Sequence, residues 1–241
     1  MSRLLPTRRE EAWRYADLAA VERLWPPPPP QRLALAPGEA RTLALDVAPG
    51  IHDHVITLAP SARLDLRLLL AGESYTRVAL DVTLEEGADF ALGAAILAAG
   101  EAVLEVVATV RHAAPGATSR QTVRAIAAGR GVATCLPLIA VARGADGTDA
   151  AQSLKAVLLD RTAAANMKPE LEIFSDDVKA AHGCAIGGVD EAALFYLTAR
   201  GIPPARARAM LLEAFLAAAF DGAGHAQPLA ERARVALEAL A

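Results

Sequence analysis

Residues 63–87, RLDLRLLLAGESYTRVALDVTLEEG, carry two runs in which apolar and polar side chains alternate. Leu64, Leu66, Leu68 and Leu70 alternate with Arg63, Asp65 and Arg67. After the break at Ala71-Gly72, Val78, Leu80, Val82 and Leu84 alternate with Arg77, Asp81, Thr83 and Glu85. A period of two belongs to a strand with one buried and one wetted face, because successive side chains point to opposite sides of a sheet. The pattern continues downstream, where Leu104, Val106, Ala108 and Val110 alternate with Glu105, Thr109 and Arg111. Further breaks at Pro49-Gly50, Glu86-Gly87, Ala99-Gly100, Pro115-Gly116, Gly129 to Gly131 and Gly144 to Gly147 divide the stretch from about 40 to about 175. It reads as many strands roughly 10–15 residues apart. Periodicity leaves a sandwich, a barrel and a β-solenoid open. No strict short repeat is present, which disfavours a hexapeptide helix.

On either side the period changes. Residues 7–25 read as one helix, with Thr7 as N-cap, Glu10 at the capping-box distance, and Ala12, Tyr15, Leu18, Ala19 and Leu24 apolar. Pro26 to Pro30 end it, since consecutive prolines lack amide donors and favour stiff, extended polyproline II. Such a run serves as a spacer or as an SH3-type ligand. After Gly188, Asp190 is a good N-cap with Glu191 in the first turn, and Arg200-Gly201 a good ending. Pro203 or Pro204 opens a second helix, with Ala207, Met210, Leu211, Ala214, Phe215 and Ala218 on one stripe. A last helix is expected from Pro228 to Leu240.

The 241 residues suffice for one sizeable core. Hydrophobic residues make up 54%, inflated by alanine, and charged residues 22%. No run of about 18 strongly apolar, uncharged residues is present, so no membrane span is expected. The chain from Met1 to Glu11 becomes charged before an apolar signal core can form, and a cytoplasmic location is expected. With 24 basic and 28 acidic residues, and the basic ones scattered, nucleic acid is not an expected partner. Cys135 and Cys184 offer neither a disulfide framework nor a CxxC motif, and both are read as thiols in a reducing compartment. GxxxxGK[ST], GxSxG and HExxH are absent from the sequence. ATP hydrolysis, serine-hydrolase chemistry and zinc proteolysis by those motifs are therefore not expected.

Residues 167–201, MKPELEIFSDDVKAAHGCAIGGVDEAALFYLTARG, pass from a strand-like Glu170 to Phe174 through an isolated His182 to helical spacing. This stretch closely resembles the C-terminal signature of the SufB/SufD family of iron–sulfur cluster assembly scaffolds. The resemblance runs through Lys168-Pro169-Glu170-Leu171-Glu172-Ile173, Asp176-Asp177-Val178-Lys179, His182-Gly183, Asp190-Glu191 and Phe195-Tyr196-Leu197. It extends back through Gln152, Thr148-Asp149-Ala150, Gly129-Arg130-Gly131-Val132 and Gln121-Thr122, covering about residues 111–220 densely. Glu11-Ala12-Trp13-Arg14-Tyr15 resembles a segment near the start of SufD-type chains. Ala181-His182-Gly183-Cys184 is the SufD-type form, where SufB-type chains tend to carry Glu-His-Glu-Ala.

The resemblance implies a mainly β protein, with a right-handed parallel β-helix over residues 33–188. It also implies an N-terminal helix and Pro-rich spacer over 1–32, shorter than in most relatives, and a C-terminal helical region over 189–241. A terminal coil leaves unpaired strand edges, so pairing with a SufB-type paralogue, or with a second copy in isolation, is physically sensible. The family also implies a SufC-type ATPase docked on the C-terminal helices. Asp190, Glu191, Phe195, Tyr196, Arg200, Met210 and Phe215 are the expected contact residues. This subunit would be a non-catalytic scaffold, sharing a transient iron–sulfur cluster with its SufB-type partner. The alternatives are a purely structural partner without a metal ligand, or a β-helix enzyme acting on polysaccharide, which would need clustered acids that the sequence does not display.

His182 is the main candidate metal ligand: imidazole ligates iron at neutral pH, and Ala181 and Gly183 crowd it little. Many SufD-type chains have cysteine two positions before it, where this chain has Ala180. In a strand, Cys184 shares a face with His182 about 6.5 Å away, and takes part of that role or is a small buried thiol. Cys135, within Thr134 to Ile139, is expected to pack in the core. His52-Asp53-His54 puts two imidazoles on one strand face with no third ligand identifiable. Asp176-Asp177 reads as a turn or solvated edge, and His112 and His225 have no partner that the sequence names.

Overall fold

A computed structural model describes residues 4–240. Met1, Ser2 and Arg3, where the expected charged N-terminus begins, and Ala241 lie outside the described residues. One sheet contains β1 (Gln31–Leu35), β3 (Gly50–Leu58), β5 (Thr76–Leu84), β7 (Val103–His112) and β9 (Val132–Val141). It ends in β11 (Ala164–Met167) and β12 (Glu170–Ile173), which both pair with β9. The other contains β2 (Ala40–Asp46), β4 (Arg63–Gly72), β6 (Asp89–Ala98), β8 (Thr118–Ala127), β10 (Thr148–Leu158) and β13 (Val178–Gly187). Every pairing is parallel, and the chain alternates between sheets, each strand of one serving as the crossover for the other. The result is a β-solenoid of about five turns, the third of the architectures that periodicity left open.

The strand alternation follows the sequence. Leu64, Leu66, Leu68, Leu70, Val78, Leu80, Val82 and Leu84 pack between the sheets with Phe90, Leu92, Leu104 and Val106. One set of turns stacks from rung to rung: the Gly87 amide donates to Pro115 O, that of Gly116 to Asp146 O and that of Gly147 to Asp177 O. Gly87, Gly116 and Gly147 all have φ between 63° and 72°, a left-handed conformation that glycine adopts without a Cβ penalty. Pro137 sits inside β9 although proline cannot donate to a ladder. Cys135 O accepts from Lys168 N and Val141 O from Phe174 N, so the missing Pro137 N–H falls on the side where the ladder is interrupted at Lys168-Pro169.

The faces expected to be wetted are in part covered, which corrects the simple one-face reading. Arg67, Leu69, Arg77, Glu105 and Arg124 are all buried on outward rows. Against the first sheet lie Ala16, Ala20 and Val21, packed on Ile51 and Tyr75 with Trp13 and Trp25. Beneath them Arg77 Nη1 is 3.3 Å from Glu105 Oε2, and the Tyr75 hydroxyl donates to that oxygen at 2.6 Å. Burial pushes the Glu105 carboxyl above its usual range, against the pull of Arg77.

The single helix expected over 7–25 is instead a 3-10 turn, Glu11–Trp13, followed by α1 (Leu18–Arg23). Asp17 caps α1, accepting from the Ala19 and Ala20 amides at 3.0 and 3.1 Å, while Thr7 N donates to Glu10 Oε1 at 2.9 Å without opening a helix. Contact with the sheet outweighs the local propensity of a short helix.

The second sheet is covered by α3 (Pro204–Ala217) and α4 (Gln227–Glu238), which follow α2 (Glu191–Ala199). Leu212, Leu216, Ala219, Leu229, Ala233 and Leu237 bury Leu69, Ala95, Leu97, Ile126 and Val157. Gly93 allows this approach: a Cβ there would stand 1.9 Å from the Ala219 carbonyl, which accepts from Arg67 Nη1 at 2.8 Å. These helices match their expected caps and breaks, with Asp190 before α2, Pro204 opening α3 and Gly201 left-handed between them.

Candidate functional site

The solenoid ends at β13, an edge strand whose ten residues, VKAAHGCAIG, are mostly exposed and carry one charge, Lys179. On its inner side β13 pairs with β10 from Thr148↔Val178 to Val157↔Gly187, and no strand pairs its other edge among the described residues. Native sheets usually blunt such an edge with charge, proline or a covering element, so a long edge with a single charge at one end is a template for another chain. Ile173, Phe174 and Ile186 are exposed at this end.

Register decides what β13 presents. Ala180, His182 and Cys184 lie opposite Ala150, Gln152 and Leu154 of β10, all buried on the inward row. Strand alternation therefore aims His182 and Cys184 along the solenoid interior, where the interior opens to solvent. The Cys184 thiol donates to Met167 O at 3.5 Å, and burial holds its pKa above the ordinary value, so it is a thiol at neutral pH. Cys135, the register partner of Met167, is fully buried; burial, then the nearby Cys184, push its thiol far up, which fits core packing.

Among the described residues no group of three or more His, Cys, Asp or Glu side chains could hold a metal ion. His182 and Cys184 are two soft or borderline donors that leave a coordination shell incomplete.

The other candidates are scattered. His52, on β3 near the far end of the solenoid, has its Nε2 2.8 Å from Ala48 O. Its neighbour His54 has a lowered pKa, chiefly through burial and then through His52. Asp176 and Asp177 lie in the turn before β13, where Asp177 O accepts from Gly147 N. His112 is in the core, its Nε2 2.9 Å from Ser119 Oγ, and His225 lies in the short turn Gly224–Ala226 before α4.

Asp190 accepts from the Ala192 and Ala193 amides, so it is the cap of α2, with Glu191 in the first turn. Phe195 and Tyr196 are 74% and 57% exposed, and the Arg200 guanidinium lies 4.8 Å from the Tyr196 ring centroid. Met210 is exposed on α3, whereas Phe215 packs in the helical cluster with Arg124 5.9 Å from its ring centroid. The two aromatic neighbours on α2 thus form an apolar surface beside the open end, and Phe215 belongs to the support beneath.

Two residues of the motif region acquire a place that spacing did not indicate. Gln121 and Gln152 are register partners, 1% and 3% exposed, and Gln152 is in turn the register partner of His182. The signature and the N-terminal motif also meet, through Lys168 Nζ and Glu11 Oε1 at 2.6 Å.

The family described as SUF system FeS cluster assembly, SufBD core domain, matches residues 48–215. The chain is 39% identical over 99 residues to the iron–sulfur cluster assembly protein SufD of Escherichia coli, covering 41% of this chain and 23% of that protein. It is 41% identical over 102 residues to the chloroplastic protein ABCI7 of Arabidopsis thaliana, covering 42% of this chain and 22% of the relative. SufD of Bacillus subtilis is 36% identical over 77 residues, 32% of this chain and 18% of that protein. The matched segments thus span less than a quarter of these relatives. No helix among the described residues is long and apolar enough to cross a membrane.

Proposed function

The chain belongs to the SufBD core family of the SUF iron–sulfur cluster assembly system and is most like SufD; we propose that it is the SufD-type scaffold subunit of a complex with a SufB-type paralogue and a SufC-type ATPase. The observation that carries this reading is the open terminal rung, in which the family's His-Gly element lies on an unpaired, nearly uncharged edge strand. A SufB-type strand added to β13 satisfies that edge and brings further donors to His182 and Cys184, so that an iron–sulfur cluster, the cargo of the system, is assembled on a shared site. His182 serves there as ligand or iron-entry residue, with Cys184 beside it, and the subunit itself does no chemistry on ATP.

The exposed Phe195 and Tyr196, with Asp190, Glu191, Arg200 and Met210 on the same helical unit and Phe215 beneath, form the docking surface for the ATPase. Differential binding of the nucleotide states is the only source of energy that could move the SufB-type interface. A homodimer through β13 is the form expected of the isolated chain, and cytoplasm the expected location. The divisions at residues 32 and 188 follow the same reading.

The test is co-expression with SufB-type and SufC-type partners, followed by anaerobic iron and sulfide analysis of the purified complex. Wild type should carry cluster and His182→Ala should assemble the complex but lack cluster. Equal cluster content in both would reduce the subunit to a structural partner, and failure to form any complex would sink the assignment altogether.

A further inference from the structure

The apolar interior of the solenoid is interrupted near its open end. Ile139, Val141, Ala145 and Ala150 form a cluster with Leu171 and Val178, separate from the main core that contains Cys135 and Leu154. Between Ala150 and Leu154 on the inward row stands Gln152, and one rung deeper, in register, stands Gln121. Neither amide nitrogen nor amide oxygen of either residue has a hydrogen-bond partner among the described residues. A buried amide without partners is costly, and two of them in register in a solenoid core call for an explanation other than packing. The row ends, one rung further out, at His182.

We propose that Gln152, backed by Gln121, is a positioning residue for His182. Side chains of register partners on one face of a parallel pair are neighbours, about 4.8 Å apart in the strand-to-strand direction. The Gln152 amide makes no hydrogen bond to His182 in this structure, and register makes the inner nitrogen of the exposed His182 imidazole the partner that a side-chain adjustment brings to it. An amide on one ring nitrogen fixes the tautomer and ring plane, and leaves the other nitrogen directed away from the solenoid, toward whatever closes its end. Gln121, in register one rung deeper and likewise without a partner among the described residues, is the group placed to orient the Gln152 carboxamide. The proposal rests on the reading of His182 as the residue that faces metal, but it concerns the metal-free chain.

It is tested on the metal-free protein labelled with 15N-histidine, by long-range proton–nitrogen correlation at neutral pH, with His182→Gln used to assign the resonance. Wild type should show one dominant His182 tautomer. Gln152→Leu should move it toward the mixture of free histidine, with the buried His112 unchanged as internal control. Gln152→Glu, which accepts only, should restore a single tautomer with N–H toward residue 152. Gln152→Met stands in where leucine disturbs the rung, as judged by circular dichroism and melting. The same tautomer populations in wild type and Gln152→Leu overturn the proposal. Cobalt(II), titrated anaerobically and read by its visible bands, separates the two readings. Affinity about 10-fold or more weaker in Gln152→Leu supports both. A tautomer change with no effect of His182→Gln on cobalt binding, in this chain alone and in its complex with the SufB-type partner, keeps the positioning role and removes the metal-facing one.

Discussion

The Trp13 ring lies over the Arg77 guanidinium, 3.9 Å from its carbon to the ring centroid, and closes a buried ion pair between Arg77 and Glu105. The N-terminal motif is therefore a lid on the outer face of a sheet whose polar row would otherwise be wet. An ion pair taken out of water returns little net stability when intact, but breaking it leaves a charge stranded. Arg77→Met should cost about 3–5 kcal/mol in urea denaturation because Glu105 stays behind. Arg77→Met with Glu105→Leu should recover most of that loss. A single variant as mild as the double one would show that Glu105 is uncharged in the fold.

Gly93 is the contact point between the solenoid and the C-terminal helices. A methyl group there collides with the Ala219 carbonyl and with Arg67, and the carbonyl is backbone that cannot swing aside. Gly93→Ala should destabilise by about 1–3 kcal/mol through overpacking. Limited proteolysis should cut the chain after residue 188 faster than in wild type, and unchanged protection there would mean that the helices dock elsewhere.

His112 is fully buried against Ser119, and burial lowers its pKa to about 4. Its unfolded value is about 6.5, so between pH 6.5 and 4 the unfolded chain binds a proton that the folded chain refuses. Stability from this group is complete above pH 6.5 and falls as pH drops toward 4, by about 3 kcal/mol in all. His112→Gln should flatten that part of the stability profile, measured by denaturant midpoints at several pH values.

Gln121 is buried with its amide unpartnered, two rungs in from the exposed His182. Gln121→Leu should raise stability by about 1–3 kcal/mol, since removing an unsatisfied polar group recovers its desolvation cost. A lower melting temperature in this variant would mean that the amide is satisfied in solution. Stabilisation together with a loosened His182 would be the usual trade between a site and its scaffold.

The strands, their inward leucines and valines, and the caps at Asp190 and Pro204 were legible from local spacing, because side-chain period and capping chemistry act over a few residues. The identity of His182 as the candidate ligand was legible only through family resemblance, since a lone imidazole has no local signature of metal. Two expectations failed for one reason. The polar row with Arg77 and Glu105 is buried, and the helix over 7–25 is broken, because both depend on a segment folding back over a distant sheet.

The coil length was equally invisible. Register partners on adjacent rungs are 23 to 32 positions apart, with no short repeat to count by. Sequence by itself determined the alternation of each strand, the stops between strands and the helical end. Family resemblance, not spacing, pointed to the parallel solenoid that the structure shows; only the tertiary structure decided that the outer edge of β13 has no paired strand among the described residues, and that Gln121, Gln152 and His182 share one row. Register is a property of strands that pair across a whole turn, and a shift of one residue would have turned every one of these side chains to the other face.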